Sequence, residues 1–231
     1  RLPFRYRRIR HLYADLVPPG GIAFDIGSHL GNRIPPLLAK AGRVVAVEPQ
    51  PGCTELLSLW YGRRPQVELV FAALGASPGR TPLYVCGEHP TLTSLAPDWL
   101  EQAATDPLFS GVSWKEEGST EVITLAELRR IYGEPDFVKI DVEGFEKEVV
   151  AGAGVPLRAL SFEFLPAAAS TSAGVIELLE KAGSYRYNFS WGETMRYIFP
   201  DWLSADELYR FLDDAQRGKR SGDIYARLAE A

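Results

Sequence analysis

The feature that most constrains this chain is a short apolar strand that runs directly into an acidic, glycine-bearing turn. Residues 21–26 (GIAFDI) read as a buried strand and lead into Asp25-Ile26-Gly27-Ser28-His29-Leu30-Gly31-Asn32. Glycines in such a turn let the backbone approach a ligand where a Cβ would obstruct it. The stretch through Lys40 reads as a helix, and residues 43–47 (RVVAV) as a second buried strand that stops at Glu48. A Pro-initiated helix over 52–60 and a third strand over 67–73 (VELVFAA) follow. Strands alternating with helices predict an α/β fold with a parallel sheet and right-handed crossovers. Ligands of such sheets bind outside the carboxyl ends of the strands, where this turn and Glu48 both fall.

The rest of the chain departs from simple alternation. Residues 81–86 (TPLYVC) read as an extra strand returning after the turn at 76–80. Residues 87–118 are rich in Pro, Thr, Ser and Gly, and a connection this long predicts a lid or an insertion. A short strand over 121–124 and a helix over 125–132 precede a buried strand at 137–140 (FVKI), which ends at Asp141. A helix over 145–151, a strand over 159–164 (ALSFEF) and a helix over 173–182 come next. Residues 185–190 and 195–199 are expected to pair as an antiparallel hairpin, and 201–217 to form a helix before the closing segment 223–228 (DIYARL). No linker divides the chain, so residues 1–231 read as one domain with a lid at 87–118.

Composition narrows the function classes. At 46% hydrophobic and 24% charged residues, the chain can bury a substantial core, which sets aside a disordered or fibrous protein. A net charge of −5 gives no global attraction to nucleic acid or to an anionic membrane. Arg1, Arg5, Arg7, Arg8 and Arg10 do crowd the N-terminus, as a solvated helix face or as a site for an anionic partner. No apolar run approaches the roughly 20 residues of a membrane span, and the N-terminus lacks the apolar core of a signal peptide. Cys53 and Cys86 have no metal-ligand spacing, so two incidental thiols in a reduced, cytoplasmic protein are expected. Because the chain begins at Arg1, some preceding residues are expected to be missing.

The turn discriminates between cofactors. A nicotinamide dinucleotide requires G-x-G-x-x-G beneath its pyrophosphate and no acid at the position of Asp25. Here D-x-G-x-x-x-G precedes a second strand that ends in an acid. That arrangement suits a cationic cofactor without phosphates. S-adenosylmethionine carries an ammonium and a sulfonium, to which Asp25 offers complementary charge. Glu48 is placed to accept hydrogen bonds from both ribose hydroxyls.

Pro135-Asp136-Phe137-Val138-Lys139-Ile140-Asp141-Val142-Glu143-Gly144-Phe145-Glu146 resembles the defining segment of the FkbM methyltransferases. The likeness extends through 24–31 (FDIGSHLG), 47–51 (VEPQP), 73–75 (ALG), 91–95 (TLTSL), 160–164 (LSFEF) and 222–227 (GDIYAR), in order along nearly the whole chain. One turn departs: the family resembles D-I-G-A-N-x-G, and Ser28 and His29 stand here in place of Ala-Asn. The resemblance implies a Rossmann-like class I methyltransferase fold, a mostly parallel seven-stranded sheet with helices on both faces. It implies S-adenosylmethionine-dependent O-methylation of a small-molecule hydroxyl on a polyketide, sugar or related natural product. The implied cofactor site is Asp25, Gly27, Ser28, His29, Gly31, Asn32, Glu48, Ala73 and Asp141, with no dedicated metal ligands. Two other readings stay open, another Rossmann-like nucleotide-binding enzyme and a methyltransferase-like protein that binds ligand without catalysis. The acid-Pro-Pro-aromatic signature of amino-directed nucleic-acid methyltransferases is missing after the 137–140 strand, so nucleic acid is not the expected acceptor.

Family strand order would place the strands ending in Asp25, Asp141 and Glu163 side by side, about 4.8 Å apart. The three acids are then expected to line one crevice, where mutual repulsion raises at least one pKa toward the range of a base. Asp141 and Glu163 are the candidate catalytic residues, taking the proton of the acceptor hydroxyl. A divalent ion held by the acids is the alternative. Asp141 and Glu143 have a plainer reading as caps of the next helix, and Glu163 as a buried structural acid. His29 and His89 are lesser candidates for ligand contact and for a base, and the aromatics between Tyr185 and Trp202 read mostly as core.

Overall fold

In the computed structural model, which describes residues 2–86, 93–105 and 111–229, the first half runs α1 (Leu2–Ala14), β1 (Ile22–Ile26), α2 (Ile34–Leu38), β2 (Arg43–Val47), α3 (Pro51–Tyr61) and β3 (Val67–Val70). Then come β4 (Ala73–Leu74), β5 (Gly79–Val85), α4 (Pro97–Thr105), β6 (Lys115–Ile123), α5 (Leu125–Tyr132) and β7 (Phe137–Ile140). The last part is α6 (Glu146–Ala151), β8 (Ala159–Phe164), α7 (Ala169–Ala182), β9 (Tyr185–Trp191), α8 (Ala205–Arg217) and β10 (Gly222–Leu228).

Seven strands form the main sheet in the order β3-β2-β1-β7-β8-β10-β9. All of them run parallel except β10, which is antiparallel to both β8 and β9. The strands ending in Asp25, Asp141 and Glu163 are therefore neighbours, as the family resemblance implies. β7 is buried along its whole length, which is why it reads as an apolar run rather than an alternation. On one face Ile9, Leu12 and Tyr13 of α1, Ile34 and Leu37 of α2, and Leu57 of α3 pack on Val44, Ala46 and Phe137. On the other, Leu125, Val149, Val175, Ile176 and Leu208 pack on Phe24, Val45, Val138 and Phe162. Each fully buried Phe or Leu of these layers contributes roughly 1.5–3 kcal/mol by leaving water.

Several elements differ from the sequence expectation for identifiable reasons. α2 stops at Leu38, short of Lys40, where the amides of Lys40 and Ala41 both turn in to the Leu37 carbonyl. The third strand ends at Val70, and Ala73–Leu74 joins a separate sheet, β4-β6-β5. β6 is longer than the expected 121–124, because it pairs antiparallel with β5 over most of its length. Thr124 is not strand but the N-cap of α5, in a capping box with Glu127. Ser204 and Glu207 form the same box for α8, which starts at Ala205 rather than 201.

The expected hairpin of 185–190 with 195–199 does not form: β9 pairs with β10 instead. Asn188 Oδ1 accepts from the Phe199 amide at 3.3 Å, and Ser190 Oγ from the Arg196 amide at 3.2 Å. The 195–199 segment is thus tied to β9 mainly by side chains. The stretch expected as a lid contributes α4 and the start of β6, while residues 87–92 and 106–110 lie outside the described residues.

Candidate active site

A cavity of about 390 Å³ opens at the carboxyl ends of β1, β2, β7 and β8. Gly27, Ser28, His29, Asn32, Glu48, Ala73, Asp141 and Glu163 all line it. Asp25 and Gly31 do not. Asp25 is fully buried below the turn. Gly31 lies against Tyr61, Ile34 and Leu57, whose side chains a Cβ would meet at 2.7–3.0 Å, so it serves the packing of α3 on the turn. Gly27 lets the turn close against the backbone at the end of β7. Its φ of +73° is the left-handed region, and a Cβ there would come within 1.8 Å of the Asp141 carbonyl oxygen.

Glu48 is held ready for a ligand. The amide of His29 donates to its Oε2 at 2.8 Å, and the amide of Gln50 to its Oε1 at 2.9 Å. Each oxygen keeps lone-pair capacity on the cavity side. Burial raises its pKa, and the two amide bonds partly offset that. Ser28 Oγ and His29 Nε2 are buried without a hydrogen-bond partner among the described residues. Burial also lowers the pKa of His29, favouring the neutral ring.

Lys139 organises the acids and is the site residue that sequence reasoning passed over. It stands opposite Asp25 in the β1–β7 register. Its Nζ lies 2.9 Å from Asp141 Oδ2 and 3.7 Å from Asp25 Oδ1. Burial disfavours the ammonium, but the charges of Asp141 and Asp25 outweigh it and hold the pKa above its ordinary value. Burial would raise the Asp141 carboxyl too, yet Lys139 prevails and lowers it. Asp25 stays raised, by burial, despite the same lysine. A signal did exist: one lysine inside the apolar run FVKI requires a counter-charge.

Asp141 is not a helix cap. Phe145 holds that position of α6, and Glu146 accepts from the amides of Val142 and Gly144. Oxygens of Asp141, Glu143 and Glu163 all lie within 4.8 Å of one another. Glu163 and Glu143 are pushed well above the ordinary carboxylate range, by burial first and then by neighbouring acids. Asp223, another residue not foreseen, stands opposite Glu163 on β10, and burial pushes its carboxyl up to about 7.

Glu143 itself takes a left-handed φ of +51°, and Ser94 Oγ donates to its carbonyl at 2.6 Å. Trp99 of α4 packs over Gly144, where a Cβ would meet the indole at 2.5 Å. Residues 93–99 thus sit on the 141–144 turn. His89 lies outside the described residues. Cys53 and Cys86 are free and buried. No helix among the described residues is long and apolar enough to cross a membrane.

The sequence pattern described as the Methyltransferase FkbM domain matches residues 25–198, more than half of the chain. No curated relative matches the sequence. Among solved structures, 94% of the chain superposes on 50% of an FkbM methyltransferase from Methylobacillus flagellatus, at a TM-score of 0.51 and 15% identity. The chain thus spans half the length of that structure. A TehB-like SAM-dependent methyltransferase from Corynebacterium glutamicum is similar over 96% of this chain and 88% of its own, at a TM-score of 0.50 and 10% identity. A spermidine synthase solved with the transition-state analogue AdoDATO matches over 97% of this chain and 58% of its own, at 0.50 and 13%. At these identities the likeness is one of fold, that of the class I methyltransferases.

Proposed function

Since the chain belongs to the FkbM methyltransferase family, we propose that it transfers the methyl group of S-adenosylmethionine to a hydroxyl of a small-molecule metabolite. The observation that carries this reading is the excess of carboxylates around the cavity, with Glu48 tethered at one side and Asp141, Glu143 and Glu163 clustered at the other. A cationic ligand relieves that charge, and a polyphosphate would aggravate it. The cavity offers the cofactor a fit: the turn at Gly27 on its wall, the two buried unpartnered atoms on Ser28 and His29, and the Glu48 carboxylate for a ribose. When bound, the cofactor supplies a methyl group already activated on a sulfonium.

The chain's own residues then have two tasks. Asp141, kept ionised by Lys139, would supply negative charge to a cationic cofactor in the cavity. Glu163, which lines the cavity and whose carboxyl burial holds above the ordinary range, would in its ionised form accept the proton of the acceptor's hydroxyl. Residues 1–231 are read as one methyltransferase domain, with residues 93–105 of the 87–118 stretch lying over the 141–144 turn.

Transfer of labelled methyl to a panel of hydroxylated metabolites is the test, with Glu163→Gln and Asp141→Asn beside the wild type. Loss of the base should cut turnover by about 10²–10⁴-fold while cofactor binding persists. Full activity in both variants would reject the acid chemistry and leave catalysis to proximity. A second reading is favoured by the convergence of three carboxylates, which also suits a divalent ion. In that case chelator abolishes the wild-type activity and added Mg²⁺ restores it.

A further inference from the structure

The segment 192–197 has two sides. Glu193 faces the central cavity together with Arg33, and Arg33 reaches Met195 Sδ at 3.7 Å. Met195, Arg196 and Tyr197 also form one wall of a second cavity, of about 590 Å³, whose opposite wall is α1. Arg7, Arg8 and His11 line it from that helix, with Leu12 beneath and Asp15 at the end. Their spacing places them on one helix face. The arginine run noted in the sequence is therefore not wholly a solvated arm.

Three features of this groove point to an anion. Arg7, Arg8 and Arg196 are exposed and form no ion pair among the described residues, Asp15 included. Leu12 and Met195 are buried and give the recess an apolar floor. The hydroxyl of Tyr197 is buried with no hydrogen-bond partner among the described residues. Its ring is fixed between Trp202 and Tyr225, each 5.3 Å away between centroids. A buried donor held without an acceptor is costly unless a ligand supplies one. The guanidinium groups of Arg7, Arg8 and Arg196, which line the same groove as Tyr197, match the geometry of phosphate oxygens, which they bind bidentately.

We propose that this groove binds the phosphate or diphosphate group of a soluble small molecule, at a site separate from the cofactor cavity. The shape and charge favour a compact anion over nucleic acid or a membrane surface. The cations line a recess rather than a stripe, one acid stands among them, and the chain as a whole carries a charge of −5.

Calorimetric titration of inorganic pyrophosphate at constant ionic strength is the test. The wild type is compared with Arg8→Gln/Arg196→Gln and with Tyr197→Phe. Saturable binding is expected, weakened about tenfold or more in the arginine variant and severalfold in Tyr197→Phe. Saturating S-adenosylhomocysteine should leave it unchanged. Arg8 and Arg196 are exposed, so the arginine variant should melt at the wild-type temperature and keeps the test valid even if Tyr197→Phe does not fold. Equal affinity in wild type and arginine variant overturns the proposal. So does competition by S-adenosylhomocysteine, or capture by phosphatidylglycerol vesicles without any saturable pyrophosphate binding.

Discussion

At Glu48 both carboxylate oxygens already hold a backbone amide, so the side chain cannot turn away from the cavity without breaking two bonds. Its position at the end of β2 was legible from sequence, because an acid closing a buried strand has few structural uses. Its orientation was not, since the amide of His29 comes from a separate turn. Glu48→Ala is expected to weaken S-adenosylhomocysteine binding by about 1.5–3 kcal/mol, the size of lost charge-assisted hydrogen bonds. Calorimetry on the folded variant measures it, and an unchanged affinity would remove the ribose role. Asp25 illustrates the opposite case. The motif marks it as a ligand residue, whereas burial places it beneath the cavity as a counter-charge to Lys139. Its influence on a ligand then runs through the lysine and Asp141.

Among the elements, α4 and the residues before it are bound to the site by few but specific contacts. Ser94 holds the Glu143 carbonyl, Trp99 covers Gly144, and Thr93, Ser94 and Leu95 line the cavity. Trp99 also stacks edge-on against Trp114, at 5.6 Å between centroids. An element resting on a ligand-binding turn by so small an apolar cluster opens more readily than the central strands. Amides of 98–104 are therefore expected to exchange faster than those of β1 and β7 in the free protein, and to gain protection with S-adenosylhomocysteine. Hydrogen exchange followed by mass spectrometry checks this, and equal protection with and without ligand would make α4 a fixed part of the wall. That α4 is a helix was hidden in the sequence by its setting among Pro, Thr, Ser and Gly. By contrast the span of α5, 125–132, was legible to the residue, although Thr124 before it read as strand and not as its cap.

For the molecule as a whole, the buried acids give stability a pH dependence of definite sign. Burial, and then Asp141, pushes the Asp223 carboxyl up to about 7, and burial does the same for Glu146. An acid whose pKa rises on folding keeps its proton in the folded chain after the unfolded chain has lost it. Its contribution is thus fully present below the ordinary carboxylate pKa and lost as the pH climbs through about 7. The ligand-free protein should grow less stable from mildly acid to mildly alkaline pH. Asp223→Asn should recover about 1–3 kcal/mol at pH 8 and little near pH 4. Denaturant melts at the two pH values decide, and a variant no more stable than wild type at pH 8 would show that Asp223 is relieved by another route. A bound cation is expected to supply the same relief, so S-adenosylmethionine should stabilise the protein more at pH 8 than at pH 5.

What the sequence determined by itself was local. Apolar runs of strand length, helical spacing, glycines at a turn and acids at strand ends each depend on neighbours along the chain, and they placed β1, β2, β7, β8 and α5 as well as Glu48, Asp141 and Glu163. What only the tertiary structure decided was compensation across space. Lys139 faces Asp25 from the adjacent strand, Asp223 arrives beside Glu163 from the last strand of the chain, and β9 forms its ladder with β10, keeping a Tyr187–Leu203 bridge to the chain that follows it. Hydrophobic period and turn chemistry are written within a few residues. The energy of a buried charge depends on whichever charges the fold brings within a few ångströms, and no local pattern records them.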